Sequence, residues 1–167
     1  MGIYINRGNS DFQSVLNGEY VDKTGLIAAV NRTLFTEQRF SCVTRCRRFG
    51  KSMAAKMLCS YYDDSCDSRS LFAGLEIEQD TSYEKHLNKY PVIYLDMTSF
   101  ITRYKDNDNI VSYIDKEVRS EVQTVFPDIP SEEGDDLMKY LLRVVQHTGK
   151  PFFFIIDEWD AILREGS

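Results

Sequence analysis

The residues best suited to chemistry in this sequence form two short groups, and the first is typical of phosphate binding. It is the run Arg45-Cys46-Arg47-Arg48-Phe49-Gly50-Lys51-Ser52. Its last three positions match the pattern G-x-x-x-x-G-K-[ST], in which a loop joins a strand to a helix and wraps a phosphate group. Gly50 lets the backbone approach the phosphates because it has no Cβ. Lys51 supplies an ammonium for the β- and γ-phosphates, and the Ser52 hydroxyl can hold Mg²⁺.

The run departs from the pattern at its first position, where Arg45 stands in place of glycine. Arg45 restricts the backbone conformations of the loop relative to glycine. Together with Arg47 and Arg48, it can also add charge-assisted contacts for a phosphate. Two alternatives stay open from the residues alone. Phe49 to Ser52 can be an ordinary helix start, and the three arginines are as compatible with solvated or structural cations as with ligands.

The second group is a pair of carboxylates that ends the apolar run Phe152-Phe153-Phe154-Ile155-Ile156-Asp157-Glu158. In phosphoryl-transfer enzymes an acid in this place holds magnesium, and an adjacent glutamate can orient or deprotonate the attacking water. Asp157 is therefore predicted to lie on the metal side and Glu158 to act on water. The alternative is that Asp157 only caps a turn that begins at Trp159.

The two groups together predict a site for ATP and Mg²⁺. They lie about a hundred residues apart, in the order and with the intervening strand that such sites have. Residues 45–52 are the predicted nucleotide-binding residues. Lys51 and Glu158 are the predicted catalytic residues, and Ser52 and Asp157 are the predicted metal ligands. We expect this loop and the two carboxylates to face each other across neighbouring ends of one sheet.

Three apolar segments predict the strands that would position these groups. They are Arg39 to Thr44, Pro91 to Met97 and Pro151 to Ile156. The last is apolar on both faces, which favours a place in the middle of a parallel sheet covered by helices. Strand, loop, helix, strand, helices, strand is the order of a doubly wound α/β fold. Ligands of such sheets bind at the carboxyl ends of the strands, where both chemical groups fall.

Apolar residues at helical spacing predict the helices between these strands. The predicted helices cover about residues 22–34, 52–62, 68–73, 110–122 and 137–145. Asp22 is predicted to cap the first of them, and Gly149 follows the end of the last. Residues 1–19 are polar, and we expect them to be irregular.

Five ordered segments of the chain carry a family resemblance. They are YVDKTGLI at 20–27, TRCRRFGKS at 44–52, LFAGL at 71–75, YPVI at 90–93 and IDEWD at 156–160. The chain resembles the AAA-ATPase-like domain family in these segments, from about Asp11 to Asp160. The resemblance implies a P-loop NTPase fold of the AAA type and the additional-strand class. Such a fold has three α/β/α layers around a mainly parallel sheet, and it binds ATP with Mg²⁺.

The resemblance also assigns residues. It implies that the Gly50-Lys51-Ser52 tripeptide binds phosphate and magnesium, and that Asp157 and Glu158 are the acidic pair. Arg45 is then the family's own form, whereas Cys46 stands where the family has proline, so that the stiffness of the loop differs. Trp159 stands where the family has tyrosine.

The resemblance leaves one strand unaccounted for. Family members continue past the acidic strand, many into a PD-(D/E)xK nuclease-like domain, and this chain is similar to their N-terminal part. The strand between the phosphate-loop strand and the acidic strand comes later in sequence, which implies a C-terminally truncated sheet with unpaired strand edges. We expect the sheet to close differently, or a partner chain or a homo-oligomer to complete it.

Length and composition predict one soluble domain over residues 1–167. The net charge of −6 gives no overall basic footprint, so nucleic acid is expected only as an indirect partner. No segment approaches the ~20 apolar residues that span a bilayer, and no membrane role is expected. The four cysteines form no CxxC pair, and the first ten residues lack the apolar core of a signal peptide, which indicates a reducing, cytoplasmic setting.

The predicted function is ATP binding with Mg²⁺-dependent hydrolysis. Hydrolysis by this chain alone should be slow, because no arginine finger and no sensor residue can be assigned. The alternative is a non-catalytic module that binds nucleotide or phosphate. Such a module would act by assembly with itself or with nucleic-acid-processing partners.

Overall fold

The computed structural model describes residues 2–44, 50–104 and 109–161. The chain divides into two compact units. The first, Arg7–Tyr90, is called the helical unit here, and the second, Met1–Asn6 with Pro91–Ser167, is called the sheet unit. The prediction of one domain over residues 1–167 stays a prediction.

The helical unit is built from short helices. In chain order these are α1 (Ser10–Leu16), α2 (Gly25–Thr33), α3 (Lys51–Tyr62), α4 (Arg69–Phe72), a 3-10 helix (Glu76–Gln79) and α5 (Tyr83–His86). Aromatic side chains form its core. Phe12 of α1 stacks on Phe72 of α4 with ring centroids 5.2 Å apart, and Tyr61 of α3 meets Phe72 edge-on at 5.4 Å. Such pairs stabilise a small core beyond the area that they bury.

A buried amide satisfies the polar ends of these aromatic residues. The Asn31 side chain accepts a hydrogen bond from the Tyr62 hydroxyl at 2.6 Å and donates to the Tyr61 hydroxyl at 3.2 Å and to Ser82 Oγ at 2.8 Å. The Tyr61 hydroxyl in turn donates to the Tyr83 carbonyl at 2.8 Å. Burial raises the pKa of both Tyr61 and Tyr62. Both therefore stay protonated and neutral in this network.

The complete elements of the sheet unit within its described residues are a parallel pair of strands, β1 (Val92–Asp96) and β2 (Phe153–Asp157), and the helices α6 (Met97–Arg103), α7 (Ile110–Val125) and α8 (Leu137–Thr148). The parallel register pairs Val92 with Phe153 and Asp96 with Asp157. Mixed helices with a parallel strand pair are compatible with the α/β class that the sequence predicts. The strands after Pro91 and Pro151 and the helices from Ile110 and Leu137 are confirmed.

The first residues of the chain complete the other edge of β1. Ile5 forms an antiparallel bridge with Ile93. The Tyr94 amide donates to the Tyr4 carbonyl at 2.7 Å. Glu121 of α7 holds this segment, because its Oε1 accepts hydrogen bonds from the amides of Tyr4 at 2.9 Å and Ile5 at 3.0 Å. A carboxylate thus provides the acceptors that a longer strand ladder would supply.

The strand predicted over Arg39 to Thr44 is wrong. Residues 39–44 have no regular secondary structure and are exposed, with Phe40 84 % and Val43 39 % accessible. A strand needs neighbours for its N–H and C=O groups. In the described part of the chain no strand pairs with residues 39–44, and the Arg39 amide instead donates to the Thr36 carbonyl at 3.2 Å.

Among the described residues, the acidic strand is not in the middle of a sheet. The register places Phe154 beside Ile93 and Ile156 beside Leu95. Ile93 and Leu95 are 0 % and 7 % exposed, but Phe154 and Ile156 are 43 % and 52 % exposed. The cover on this face therefore ends at β1. Among the described residues β2 is an edge strand. Its apolar side chains are therefore covered on one face only, because no further strand or helix of the described residues covers the other.

Two smaller expectations also change. Residues 1–19 are not wholly irregular, because α1 forms around the buried side chain of Phe12. Asp22 does not cap α2, which begins at Gly25 with Thr24 as its N-cap. The Asp22 carboxylate instead binds the Thr24 amide and hydroxyl at 2.8 and 2.7 Å.

Replacing Glu121 tests how the first strand segment is held. Glu121→Ala should lower the free energy of unfolding by about 1.5–3 kcal/mol, because two amides lose a charged acceptor. Glu121→Gln is the matched control, since its amide oxygen can still accept both hydrogen bonds and the loss should be smaller. Urea unfolding of the three proteins measures the difference. Equal stability of Glu121→Ala and the wild type would contradict this role.

Candidate functional site

The end of the predicted phosphate loop lies at the start of α3. Gly50 is the N-cap residue with φ 79° and ψ 24°, and Lys51 and Ser52 are the first helical residues. The left-handed conformation favours glycine, which adopts it at no steric cost. The predicted loop residues Arg45, Cys46, Arg47, Arg48 and Phe49 lie outside the described residues.

The first turn of α3 has the properties of an anion-binding helix start. No side chain of the described residues caps it, and it contains no acidic residue. The first N–H groups of a helix have no partner within the helix, and the helix dipole makes this end positive. Lys51 is half-buried and Ser52 is exposed. This end of α3 can therefore accept an anionic group from solvent.

Lys23 lies directly beside this helix start. A Cβ built on Gly50 would lie 3.2 Å from Lys23 Nζ, so a side chain at position 50 would press on the ammonium group. Tyr20, Val21, Lys23, Met53 and Met57 contribute to the lining of a small cavity of about 100 Å³. The YVDKT segment was visible in the sequence, but its proximity to Gly50 depends on tertiary structure.

Asp22 fixes the backbone around Lys23. Its Oδ1 binds the Thr24 amide and hydroxyl, and its Oδ2 accepts a hydrogen bond from the Glu76 amide at 2.7 Å. Burial opposes ionisation of Asp22, but these hydrogen bonds outweigh it, and the pKa of the Asp22 carboxyl lies below its usual value. The associated stability is present above the ordinary carboxyl pKa and is lost as the pH falls through the lowered value.

The predicted acidic pair lies at the end of β2 and is half-buried. Asp157 Oδ2 accepts a hydrogen bond from the Tyr94 hydroxyl at 3.0 Å, and its Oδ1 accepts one from the Glu158 amide at 3.0 Å. The turn that follows is closed by the Ala161 amide, which donates to the Glu158 carbonyl at 2.9 Å. The turn residues are Trp159 and Asp160, so Asp157 lies just before the turn that the alternative prediction placed after it.

Glu158 has an unusual backbone conformation. Its φ is +50°, in the left-handed region that non-glycine residues rarely adopt. Strain of this kind costs about 1–2 kcal/mol and persists only where the surroundings impose it. Here the hydrogen bond from the Glu158 amide back to Asp157 and the closed turn impose it. The conformation fixes the direction in which the Glu158 side chain leaves the strand.

Asp96 has a structural role. It is the register partner of Asp157 at the end of β1. Its Oδ1 accepts hydrogen bonds from the amides of Thr98 at 2.9 Å and Ser99 at 3.3 Å, and its Oδ2 accepts one from Ser99 Oγ at 2.9 Å. Asp96 thus caps α6, and these bonds occupy its carboxylate.

The predicted site residues fall into both units. Lys51 and Ser52 belong to the helical unit, and Asp157 and Glu158 belong to the sheet unit. That the two pairs meet at one nucleotide stays a prediction. Across the described ranges no three His, Cys, Asp or Glu side chains are grouped to hold a metal ion. A hydroxyl and a fixed carboxylate are still the oxygen ligands that suit Mg²⁺, which commonly takes few protein ligands and keeps several waters.

A comparison with protein-family models finds one family whose match includes these motifs. The AAA-ATPase-like model, described as "Predicted AAA-ATPase", matches residues 7–166. The chain belongs to the AAA-ATPase-like family. No curated protein and no solved structure gives a significant match. None of this AAA-ATPase-like chain's helices, as far as the structure describes them, combines the length and apolarity needed to cross a membrane.

Glycine and alanine at position 158 test the backbone strain. Both changes remove the carboxylate, but only glycine adopts a positive φ without a steric cost. Glu158→Gly should therefore be about 1 kcal/mol more stable than Glu158→Ala, although glycine ordinarily costs more chain entropy. Chemical unfolding of the two variants measures this difference. A less stable glycine variant would contradict the strained conformation.

Proposed function

We propose that this AAA-ATPase-like chain binds ATP with Mg²⁺ and hydrolyses it slowly. The observation that carries the proposal is the start of α3, where Gly50, Lys51 and Ser52 open a helix that no described side chain caps. Family membership supports the same conclusion, because the family is described as a predicted ATPase. Residues 45–52 would form the nucleotide-binding loop.

The helix start supplies the groups that a triphosphate needs. The amides of the first turn would donate hydrogen bonds to phosphate oxygens, and the helix dipole would favour their negative charge. The Lys51 ammonium would contact the β- and γ-phosphates as a mobile point charge. These contacts involve phosphate only. They therefore do not by themselves distinguish ATP from GTP.

Ser52 and Asp157 are the proposed magnesium ligands. The hydroxyl of Ser52 is exposed, and the Asp157 carboxylate is oriented by the Tyr94 hydroxyl. Magnesium, when bound with ATP, neutralises charge on the phosphate oxygens. The proposal thus assigns Tyr94 a positioning role, because it restricts rotation of a carboxylate that would otherwise turn freely.

Glu158 is the proposed catalytic base. Its carboxylate would orient a water molecule in line with the γ-phosphate and accept the proton from it. The water oxygen forms a bond to phosphorus as the bond from phosphorus to the β–γ bridging oxygen breaks. The bridging oxygen leaves with its electron pair as part of ADP. The left-handed backbone at Glu158 supports this role, since strained residues often lie at functional sites.

The proposed fold is the three-layer P-loop fold of the additional-strand class. Its support is the parallel pairing of β1 with the acidic strand β2 and the helices that follow β1 in sequence. The exposed side chains of Phe154 and Ile156 on β2 are consistent with a further partner. A partner chain or a second copy of this chain would complete the sheet there.

Lys51→Ala tests the binding site. The variant should lose at least about tenfold in ATP affinity, because a cation that contacts phosphate is removed. Lys89→Ala is the control, because it removes a lysine that lies at the other end of α3. The amides of its neighbours Asn88 and Tyr90 donate to the Tyr61 and Tyr62 carbonyls there. Calorimetric titration with ATP, ADP and GTP, with and without Mg²⁺, measures both. Unchanged affinity of Lys51→Ala would overturn the site.

Glu158→Gln tests turnover. The variant keeps the shape of the side chain but cannot accept a proton, so phosphate release should fall about 10²–10⁴-fold while ATP affinity changes little. A second candidate function, a binding module without turnover, is favoured by the exposed Phe154 and Ile156. Phosphate release at the background rate in wild type and variant alike, together with a dimer in light scattering, would select that module.

A further inference from the structure

The position of Lys23 is set by contacts on two sides. Asp22, next to it, holds the chain to the 3-10 helix through the Glu76 amide, and the buried Thr24 hydroxyl accepts a hydrogen bond from the Ile77 amide at 3.1 Å. On the other side, the Tyr20 hydroxyl bonds to Met57 Sδ of α3 at 3.5 Å. The backbone that carries Lys23 is thus tied both to α3 and to the 3-10 helix.

These contacts place the ammonium group of Lys23 at the start of α3. Lys23 Nζ lies 3.2 Å from the point where a Cβ on Gly50 would be. Gly50 precedes the amides of Lys51 and Ser52, which are oriented toward any anion at this helix end. A phosphate bound there is within the reach of a lysine side chain in this position.

Lys23 is exposed, and no ion pair of the described residues involves it. Among the described residues no carboxylate lies within ion-pair distance of Lys23. This includes Glu19, although Glu19 and Lys23 line the same cavity. Lys51 adds a second cation at the same helix end, whose dipole is also positive. Both cations would attract an anion bound at this helix end.

We propose that Lys23 is a second cationic contact for the phosphate chain of the nucleotide. The proposal rests on ATP binding at residues 45–52, the proposed function. It adds a residue from outside the loop, about 30 positions earlier in the chain. Lys23 binds the phosphates and not the base, because its ammonium lies against the helix start. It also gives a second reason for glycine at position 50, since a side chain there would displace the ammonium.

The test compares cation loss at Lys23 with cation loss elsewhere. Lys23→Gln should bind Mg²⁺-ATP and inorganic tripolyphosphate about fivefold to tenfold more weakly than the wild type. Lys23→Arg keeps the charge and should stay within about threefold. Lys89→Gln is the matched control, because it removes one positive charge at the other end of α3. Calorimetric titration gives the affinities, and thermal unfolding checks each variant.

The outcomes separate this inference from the proposed function. Weaker binding by Lys23→Gln alone, with both probes and an unchanged melting temperature, supports it. Unchanged binding by Lys23→Gln, while Lys51→Ala loses affinity, overturns the inference and leaves the proposed function intact. A loss with ATP but not with tripolyphosphate overturns it in favour of a base or sugar contact. Equal losses in the glutamine and arginine variants, with lower melting temperatures, show a structural role and overturn it. A wild type that binds neither probe overturns both proposals.

Discussion

The left-handed turn at Gly50 is the constraint on which the helical unit depends. It directs the chain into α3, whose twelve residues extend for about 18 Å. One end of α3 begins with half-buried Lys51 and exposed Ser52, and the other end carries Tyr61 and Tyr62 into the aromatic core. The same helix therefore anchors the unit and presents its positive end. A bulkier residue at position 50 would affect both the helix start and the position of Lys23.

In the sheet unit, one carboxylate has a comparable effect. The Asp157 side chain joins the end of β2 to Tyr94 of β1 and to the amide of Glu158. These hydrogen bonds stabilise a turn in which a glutamate adopts a positive φ. Sequences free of functional demands would place glycine or asparagine there. Strained residues of this kind cluster at functional sites, which is why the proposed function gives Glu158 a role.

Local features of the sequence predicted local structure well. The Gly-Lys-Ser helix start and the helices α7 and α8 follow from nearby residues, so their prediction succeeded. The strand over residues 39–44 failed because strand formation depends on a distant partner, which no short pattern reveals. The contact of Lys23 with Gly50 and that of Tyr94 with Asp157 were missed for the same reason. Each joins residues far apart in sequence, through turns or a strand register that periodicity cannot specify.

The proposed site residues belong to two different units, and this has a consequence for the proposed function. In the proposed site, phosphate contacts would come from Lys23, Lys51 and the start of α3, whereas the acidic pair belongs to the sheet unit. The proposed binding would thus depend on a helix anchored in an aromatic core. The proposed turnover would depend on the end of a strand whose outer residues, Phe154 and Ile156, are exposed. Edge strands open more readily than buried ones. Whatever covers β2 should therefore alter the rate of hydrolysis more than the affinity for ATP.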